Sequence, residues 1–514
     1  MIVNSSSNKR IAKNTIFLYL RMFFVLLVSL YTSRVVLNVL GVSDYGVYNV
    51  VAGFVTLFSF LNSTLSASMQ RFYNYEGGRR GNTGLKDVYY TGFYIHVLLA
   101  IVVFLLLESF GIWYINNVMV IDSNRISAAN YLFQFSTISM VFLILQIPYF
   151  SLIISNEKMD YYAIVSVLDV ILKLIVILLL PYLPGDKLII YGSFFLAVSI
   201  IDFLLYYFYV KKNYNFLTLG GPIDKELFRN LLGFSGWNLI GTFAFMLKGQ
   251  GVNLLLNSFF NTTINAARGV AFQVNNAISG FTSNITMAFK PQVVHSYASN
   301  EFERTKLLMF AETKYCYCLI LILIIPVILE IEQLLGLWLG NSVPPYTNVF
   351  SVLVLLDLLL STFNTPVTQV AFATGHITRY QIASSIVNLL LLPVCLIFLN
   401  YGFGASVVFV ITIVFTIINQ FICLVNLQKI FSFSYKEYVC QIIFPCLLLT
   451  ITLPLLPYVV YKYMDVSFYR LVLVTISDLV ISIPLFYFIM LNKREKEQCI
   501  SFLKIKIDSY MKKS

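Results

Sequence analysis

The chain has 514 residues, 59% of them hydrophobic and only 11% charged, with a formal net charge of +11 and a mean hydropathy of +0.81. Soluble domains use about 25% charged residues, so composition excludes an ordinary soluble enzyme and points to an integral membrane protein. Apolar runs of about 20 residues recur along the whole length, each matching a bilayer core of about 30 Å at 1.5 Å per helical residue, so the expected fold is all-α.

The first 13 residues are polar and end in Lys9, Arg10 and Lys13. The apolar run after them continues past about 20 residues without a small-residue cleavage site, which reads as a first spanning helix and not as a removable signal peptide. In chain order, fourteen candidate spans follow, at 14–39, 45–68, 90–115, 128–154, 161–183, 187–210, 232–258, 264–289, 307–329, 346–373, 378–399, 403–427, 438–461 and 467–491. With the N-terminus inside, 25 of the 35 Lys and Arg fall in both tails and the even-numbered connections, and only Arg125, Lys187, Lys462 and Arg470 fall outside. Such asymmetry is the positive-inside signature. It places both termini in the cytoplasm and distributes the excess charge over short loops, so no nucleic-acid partner is expected.

No loop exceeds about 22 residues, which leaves no room for a soluble domain. The chain has no G-x-x-x-x-G-K-[ST], no H-E-x-x-H and no Gly-rich nucleotide loop, and its seven cysteines lack the paired spacing of a metal site. Neither cofactor nor metal is expected, and no ATP hydrolysis by the chain itself. An ungapped offset of 219 sets Leu37-Asn38 on Leu256-Asn257, Val51-Ala52 on Val270-Ala271 and Arg71 on Lys290. This makes spans 1–6 a parallel repeat of spans 7–12, as in many transporters. The expected organisation is an N-lobe at 1–210, a linker at 211–231, a C-lobe at 232–427, two further helices at 428–491 and a basic tail at 492–514.

Charges inside spans are Arg21, Arg34, Lys173, Lys248, Arg268 and Lys314 against Glu108, Asp169, Asp202, Glu312, Asp357 and Asp478. Each needs a partner, a route to the headgroups or a function, since an unpaired charge at mid-membrane costs several kcal/mol. Arg21 and Arg34 share span 1 but lie about 20 Å apart along it and about 140° apart around it. Helical side chains lean towards the N-terminus, so Arg21 can reach the cytoplasmic headgroups, whereas Arg34 leans away from the outer face it is nearer to. Asp169 and Lys173, four apart in span 5, have the order of an intrahelical pair. Glu312 and Lys314 sit near the cytoplasmic end of span 9, where snorkelling is expected.

Spans 7 and 8 are unusually polar. In span 7, Ser235, Asn238, Thr242, Gly249, Asn253 and Asn257 fall within about 100° of one another. In span 8, Asn265, Arg268, Asn275, Asn276, Ser279, Thr282, Ser283 and Thr286 fall within about 120°. Such stripes can glue helices together, or they can line a hydrophilic path between the halves, where amides suit sugar hydroxyls. Lys248 lies near the centre of span 7, too deep to snorkel easily. Arg268, one turn inside the outer end of span 8, leans outward. In span 10, Asp357 begins a smaller stripe with Ser361, Asn364 and Thr368, a candidate ion-coupling or proton site.

Four local motifs, "LGVSDYGVYNVV", "MQRFYNYEGG", "NAARGVAFQVNNAISGF" and "KPQVVHSYA", resemble the polysaccharide transporter family of the multidrug/oligosaccharidyl-lipid/polysaccharide exporter superfamily, nearest to O-antigen and capsule repeat-unit flippases. The resemblance runs over essentially the whole chain. It implies two six-helix lobes around a central cavity and alternating-access movement of an undecaprenyl-pyrophosphate-linked oligosaccharide across the inner membrane, with a polysaccharide polymerase and chain-length proteins as further partners. In related lipid II flippases, cavity arginines from helices 1, 2 and 8 attract the pyrophosphate. The helix 1 and helix 8 arginines correspond here to Arg21, Arg34 and Arg268. Span 2 has none, so Lys248 is the expected substitute. The sugars would then be met by Asn238, Thr242, Asn253, Asn275, Asn276, Ser279 and Ser283. The alternatives are a cation-coupled drug exporter, which would want an acidic, aromatic cavity, and an O-antigen polymerase or ligase, which would want a large external loop.

Overall fold

A computed structural model of the chain describes residues 5–156, 158–217, 224–229, 231, 242–244, 246–374, 378–492 and 495–497, and for 5–26 it describes the backbone alone. Among the described residues there are helices and no strands. That follows from the solvent: inside lipid every backbone N–H and C=O must be satisfied within its own segment. Ten runs among the described residues are long and apolar enough to cross a membrane.

The first run, Leu27–Asn117, is 91 residues long, several times what one crossing needs. It is broken at Gly41 (φ 76°) and Gly81 (φ 57°), a conformation that glycine adopts without strain. One break falls just after span 1 and the other in the connection between spans 2 and 3, so the run divides into three stretches that carry spans 1, 2 and 3. The later runs, Ile126–Ser155, Asp160–Tyr182, Lys187–Asn213, Phe302–Leu329, Thr347–Thr374, Thr378–Asn400, Ser406–Gln428, Tyr435–Tyr463 and Phe468–Met490, coincide with spans 4–6 and 9–14. Span 8 lies within the 37-residue helix Thr262–Ala298. Span 7 falls partly outside the described residues, including 232–241.

Several helices contain a π turn, internal at Leu107–Gly111, Leu247–Gly251 and Val439–Ile443 and terminal at Phe486–Met490. Each such turn carries one extra residue and loosens the hydrogen-bond ladder. Two of the in-span charges, Glu108 and Lys248, sit on them.

The chain forms two compact units. One comprises Met1–Gln273, Leu339–Thr347 and Ser385–Ile411, and the other Val274–Trp338, Asn348–Ser384 and Thr412–Ser514. In the first unit, one arginine ties together three connections far apart in sequence. Arg125 donates from Nε and Nη2 to Asp44 at 2.7 and 2.5 Å and from Nη1 to Asp186 at 2.5 Å. Ser43 reaches Asp122 at 3.3 Å beside it. The connections after spans 1, 3 and 5 therefore share one end of this unit, as strict alternation of crossings requires. Asp186 also caps the next helix, accepting from the Leu188 and Ile189 amides at 3.0 and 3.3 Å, so one carboxylate serves both the clasp and the helix start.

In the second unit, an apolar core gathers Phe310, Tyr317, Ile320, Leu355, Val370 and Tyr438. At one margin Arg470 donates to both oxygens of Glu330, at 2.7 and 2.6 Å, with Glu330 only 1% exposed. The bidentate fork satisfies both buried charges together and anchors the last helix to span 9. The cysteines at 316, 318, 395, 423 and 446 are buried and free, as expected of small core hydrophobes.

The Arg125 hydrogen bonds hold the Asp186 carboxyl below the ordinary carboxylate range. A carboxylate depressed on folding contributes stability above its unfolded value and loses it as pH falls through the folded value. Arg125→Ala is expected to lower the melting temperature in detergent by a few degrees at neutral pH. The gap between variant and parent should narrow as pH falls below the ordinary carboxylate range; a gap independent of pH would contradict this account of the clasp.

Candidate functional site

The site is built where spans 7 and 8 pack on span 2 in the first unit. Two glycines allow the approach: a Cβ on Gly53 would lie 2.6 Å from Asn253 Nδ2, and one on Gly269 would lie 2.6 Å from Asn49 Oδ1. Into that space go the amides. Asn253 Nδ2 donates to the Asn49 carbonyl at 2.9 Å. Asn265 Nδ2 donates to the Asn253 carbonyl and Oδ1 at 2.8 and 2.9 Å. Asn257 Nδ2 donates to Asn265 Oδ1 and to the Val120 carbonyl, both at 3.2 Å, while the Val120 amide returns a bond to Asn257 Oδ1 at 3.0 Å. Asn253, Asn257 and Asn265 are all fully buried. Here the polar stripe fastens three helices and a loop together.

Arg268 follows Asn265 by three residues, on the same side of the helix. It is only 6% exposed. Its Nη2 donates to the Gly249 carbonyl at 2.6 Å, and its guanidinium lies 4.2 Å from the Phe272 ring centroid. Gly249 belongs to the π turn Leu247–Gly251, where the loosened ladder leaves a carbonyl able to accept from outside the helix. The expected outward lean of Arg268 is thus replaced by an inward one. Among the described residues Nε has no hydrogen-bond partner, and no carboxylate is paired with the side chain.

Lys248 adjoins Gly249 on the same π turn and is half-buried. Two of the four expected cations therefore meet at one irregular turn. Arg34 is exposed, beside a buried Ser33. Its helix touches the Arg268 helix through Ser29 and Gln273, at 3.4 Å. The Arg21 side chain and Asn238 lie outside the described residues. Thr242 accepts from Thr64 at 3.4 Å. Further along the helix, in the second unit, Asn275 is half-buried with its Nδ2 3.5 Å from the Val354 carbonyl, while Asn276 and Ser283 are exposed. Ser279 and Ser283 donate to their own helix, at 3.3 and 2.7 Å.

The stripe on span 10 divides. Asp357 accepts from the Thr416 hydroxyl at 2.6 Å. Asn364 and Thr368 instead meet Tyr380 at 3.1 and 2.7 Å, because the helix breaks between Ser361 and Asn364. Asp169 and Lys173 form the expected intrahelical pair, 2.7 Å apart. Glu312 does not snorkel: it is fully buried and accepts from Gln369 Nε2 at 2.9 Å. Lys314, 3% exposed, pairs with Glu495 at 3.4 Å. Sequence marks Glu312 only as a charge in a span, since Gln369 lies 57 residues away.

Because Asn265 holds Asn253 and Asn257 together, Asn265→Ala leaves buried groups unsatisfied. Its expected cost is about 1–3 kcal/mol, read as a lower denaturation midpoint in detergent, whereas Asn276→Ala, on the exposed side, should leave the midpoint unchanged.

No family model and no curated protein matches the sequence. Solved structures do match. The lipid II flippase MurJ, in an inward closed conformation, aligns with a TM-score of 0.71 at 16% identity, covering 92% of this chain and 98% of that one. A multidrug resistance MATE family transporter of the MOP superfamily, inward-facing, aligns at 0.59 and 12% identity over 81% of this chain and 96% of that one. A MOP superfamily transporter from Pyrococcus furiosus, described as having a binding pocket of reverse polarity, aligns at 0.56 and 12% identity over 81% of this chain and 95% of that one. At these identities the likeness is one of architecture: this chain has the all-α membrane fold shared by MurJ and the MATE transporters.

Proposed function

We propose that this chain is a flippase moving an undecaprenyl-pyrophosphate-linked oligosaccharide, of the O-antigen, capsule or exopolysaccharide kind, across the inner membrane by alternating access. It would cross the membrane fourteen times, as two six-helix lobes and two further helices, with both termini cytoplasmic. The observation that carries the reading is Arg268, a buried guanidinium that stacks on Phe272, leans on a π-turn carbonyl and, among the described residues, has a donor to spare and no carboxylate beside it. Burying a cation without its counter-ion costs several kcal/mol. A diphosphate supplies what is missing, and charge-assisted bonds to it are strong away from water. Lys248, on the same turn, adds a second cation. Arg34, exposed on a neighbouring helix, can receive the anion first.

The rest of the substrate matches the remaining features. Sugar hydroxyls need both donors and acceptors, which Asn275, Asn276, Ser279 and Ser283 offer. The polyprenyl tail can stay in lipid, so only the head group crosses. The chain acts here as a carrier and not as an enzyme. A polymerase and chain-length proteins would receive its cargo. The MATE-like fold supports a second reading, a cation-coupled drug exporter, whose mutants would show drug sensitivity with normal surface polysaccharide.

Arg268→Ala and Arg34→Ala are each expected to weaken head-group binding by about 10–100-fold, the equivalent of about 1.5–3 kcal/mol for a bond to a charged group. Surface polysaccharide should be lost and lipid-linked repeat units should accumulate on the cytoplasmic side, with membrane levels of the protein unchanged. Normal surface polysaccharide in both variants would overturn these roles.

A further inference from the structure

Arg34 does not stand alone on the exposed side of span 1. Between Leu27 and Gly41 the exposed positions are Leu27, Tyr31, Arg34, Asn38 and Gly41, while Ser33, Val36, Leu37 and Leu40 are buried. The exposed positions recur every three or four residues, so they form a single face of the helix. Tyr31 and Asn38 flank Arg34, about one turn to either side of it. The Tyr31 side chain is 50% exposed.

Such a face is not built for lipid. Span 11 shows the lipid-facing pattern: every exposed position from 382 to 398 is apolar, Ile382, Ile386, Leu389 and Leu390 among them, while its polar residues Ser384, Ser385 and Asn388 are buried or half-buried. An arginine turned to hydrocarbon would cost several kcal/mol, so the face of span 1 opens on a polar path. Nor does Tyr31 belong to an interfacial aromatic belt. It lies ten residues before the break at Gly41, about 15 Å along the axis and so about half the thickness of a hydrocarbon core.

We infer that Tyr31 is a sugar platform: its ring stacks beneath the first sugar of the lipid-linked substrate while Arg34 holds the diphosphate to which that sugar is bonded. This role rests on the flippase reading above and extends it to the sugar. A pyranose turns a face of slightly positive C–H bonds towards the negative face of an aromatic ring, and the Tyr31 hydroxyl can exchange hydrogen bonds with hydroxyls at the sugar's edge. The spacing fits, because the first sugar is joined directly to the diphosphate and Tyr31 precedes Arg34 by about 4.5 Å of helical rise. Asn38, a turn away on the other side, offers its amide to the second phosphate. Since any pyranose has a C–H face, the platform tolerates the identity of the sugar. What it distinguishes is a loaded lipid carrier from a bare one.

Two probes test this on the purified full chain in nanodiscs: undecaprenyl diphosphate, bare and carrying one N-acetylglucosamine. Parent protein should bind the sugar-bearing probe about 2–10-fold more tightly, the worth of one aromatic contact expressed as affinity. Tyr31→Ala should erase that preference while the bare probe binds as before, and Tyr31→Phe, which keeps the ring, should retain it. Arg34→Ala should weaken both probes. Equal binding of the two probes by parent protein, a preference that survives Tyr31→Ala, or a loss shared equally by both probes in that variant overturns the platform and leaves the diphosphate site standing. Failure of parent protein to bind either probe overturns the flippase reading and the platform with it.

Discussion

A polar group buried among packed helices has no water to fall back on, and that constraint organises this protein. Its asparagines show how. Asn253, Asn257 and Asn265 satisfy one another, the Asn49 carbonyl and the Val120 backbone, and they can do so only because Gly53 and Gly269 lack side chains. Small residues bring backbones close, and amides then bind across the gap. The position of Arg268 follows from this network, since Asn265 fixes the face on which the arginine emerges one turn later. Rigidity on one side of the helix is what holds a solitary guanidinium in place.

The charged groups fall into two kinds. Arg125 with Asp44 and Asp186, and Arg470 with Glu330, are closed arrangements in which donors and acceptors match. They sit at the ends of helices and hold spans in register. Arg268 is open: its buried Nε has no partner among the described residues. Closed pairs resist change, while open ones are stabilised by whatever arrives. The carrier proposed above needs both, a frame that keeps its shape and positions whose occupancy can alter its preferred state.

Periodicity and loop charge made the class of protein, most of its crossings and their ends legible, because hydrocarbon imposes length and polarity on each segment separately. The Asp169–Lys173 pair was legible for the same reason, being local to one turn of helix. What the sequence concealed was distant. Nothing near Arg125 announces Asp44 or Asp186, 81 and 61 residues away, and nothing near Glu330 announces Arg470, 140 residues away. The inward turn of Arg268 was concealed too, since its partner carbonyl exists only because a π turn replaces ordinary helix at Leu247–Gly251.

That turn also changes how its helix must be counted. A straight α-helix advances about 100° per residue, and one inserted residue rotates everything beyond it by about the same angle. Thr242 lies before the insertion, and Asn253 and Asn257 lie after it. A stripe that looks continuous on a helical wheel is therefore two arcs on different bearings, one meeting Thr64 and the other meeting Asn49 and Val120. The irregular turn acts as a gear between them: a single helix addresses two sets of neighbours with one run of polar residues, and the junction between the two arcs is where Lys248 and the acceptor of Arg268 stand.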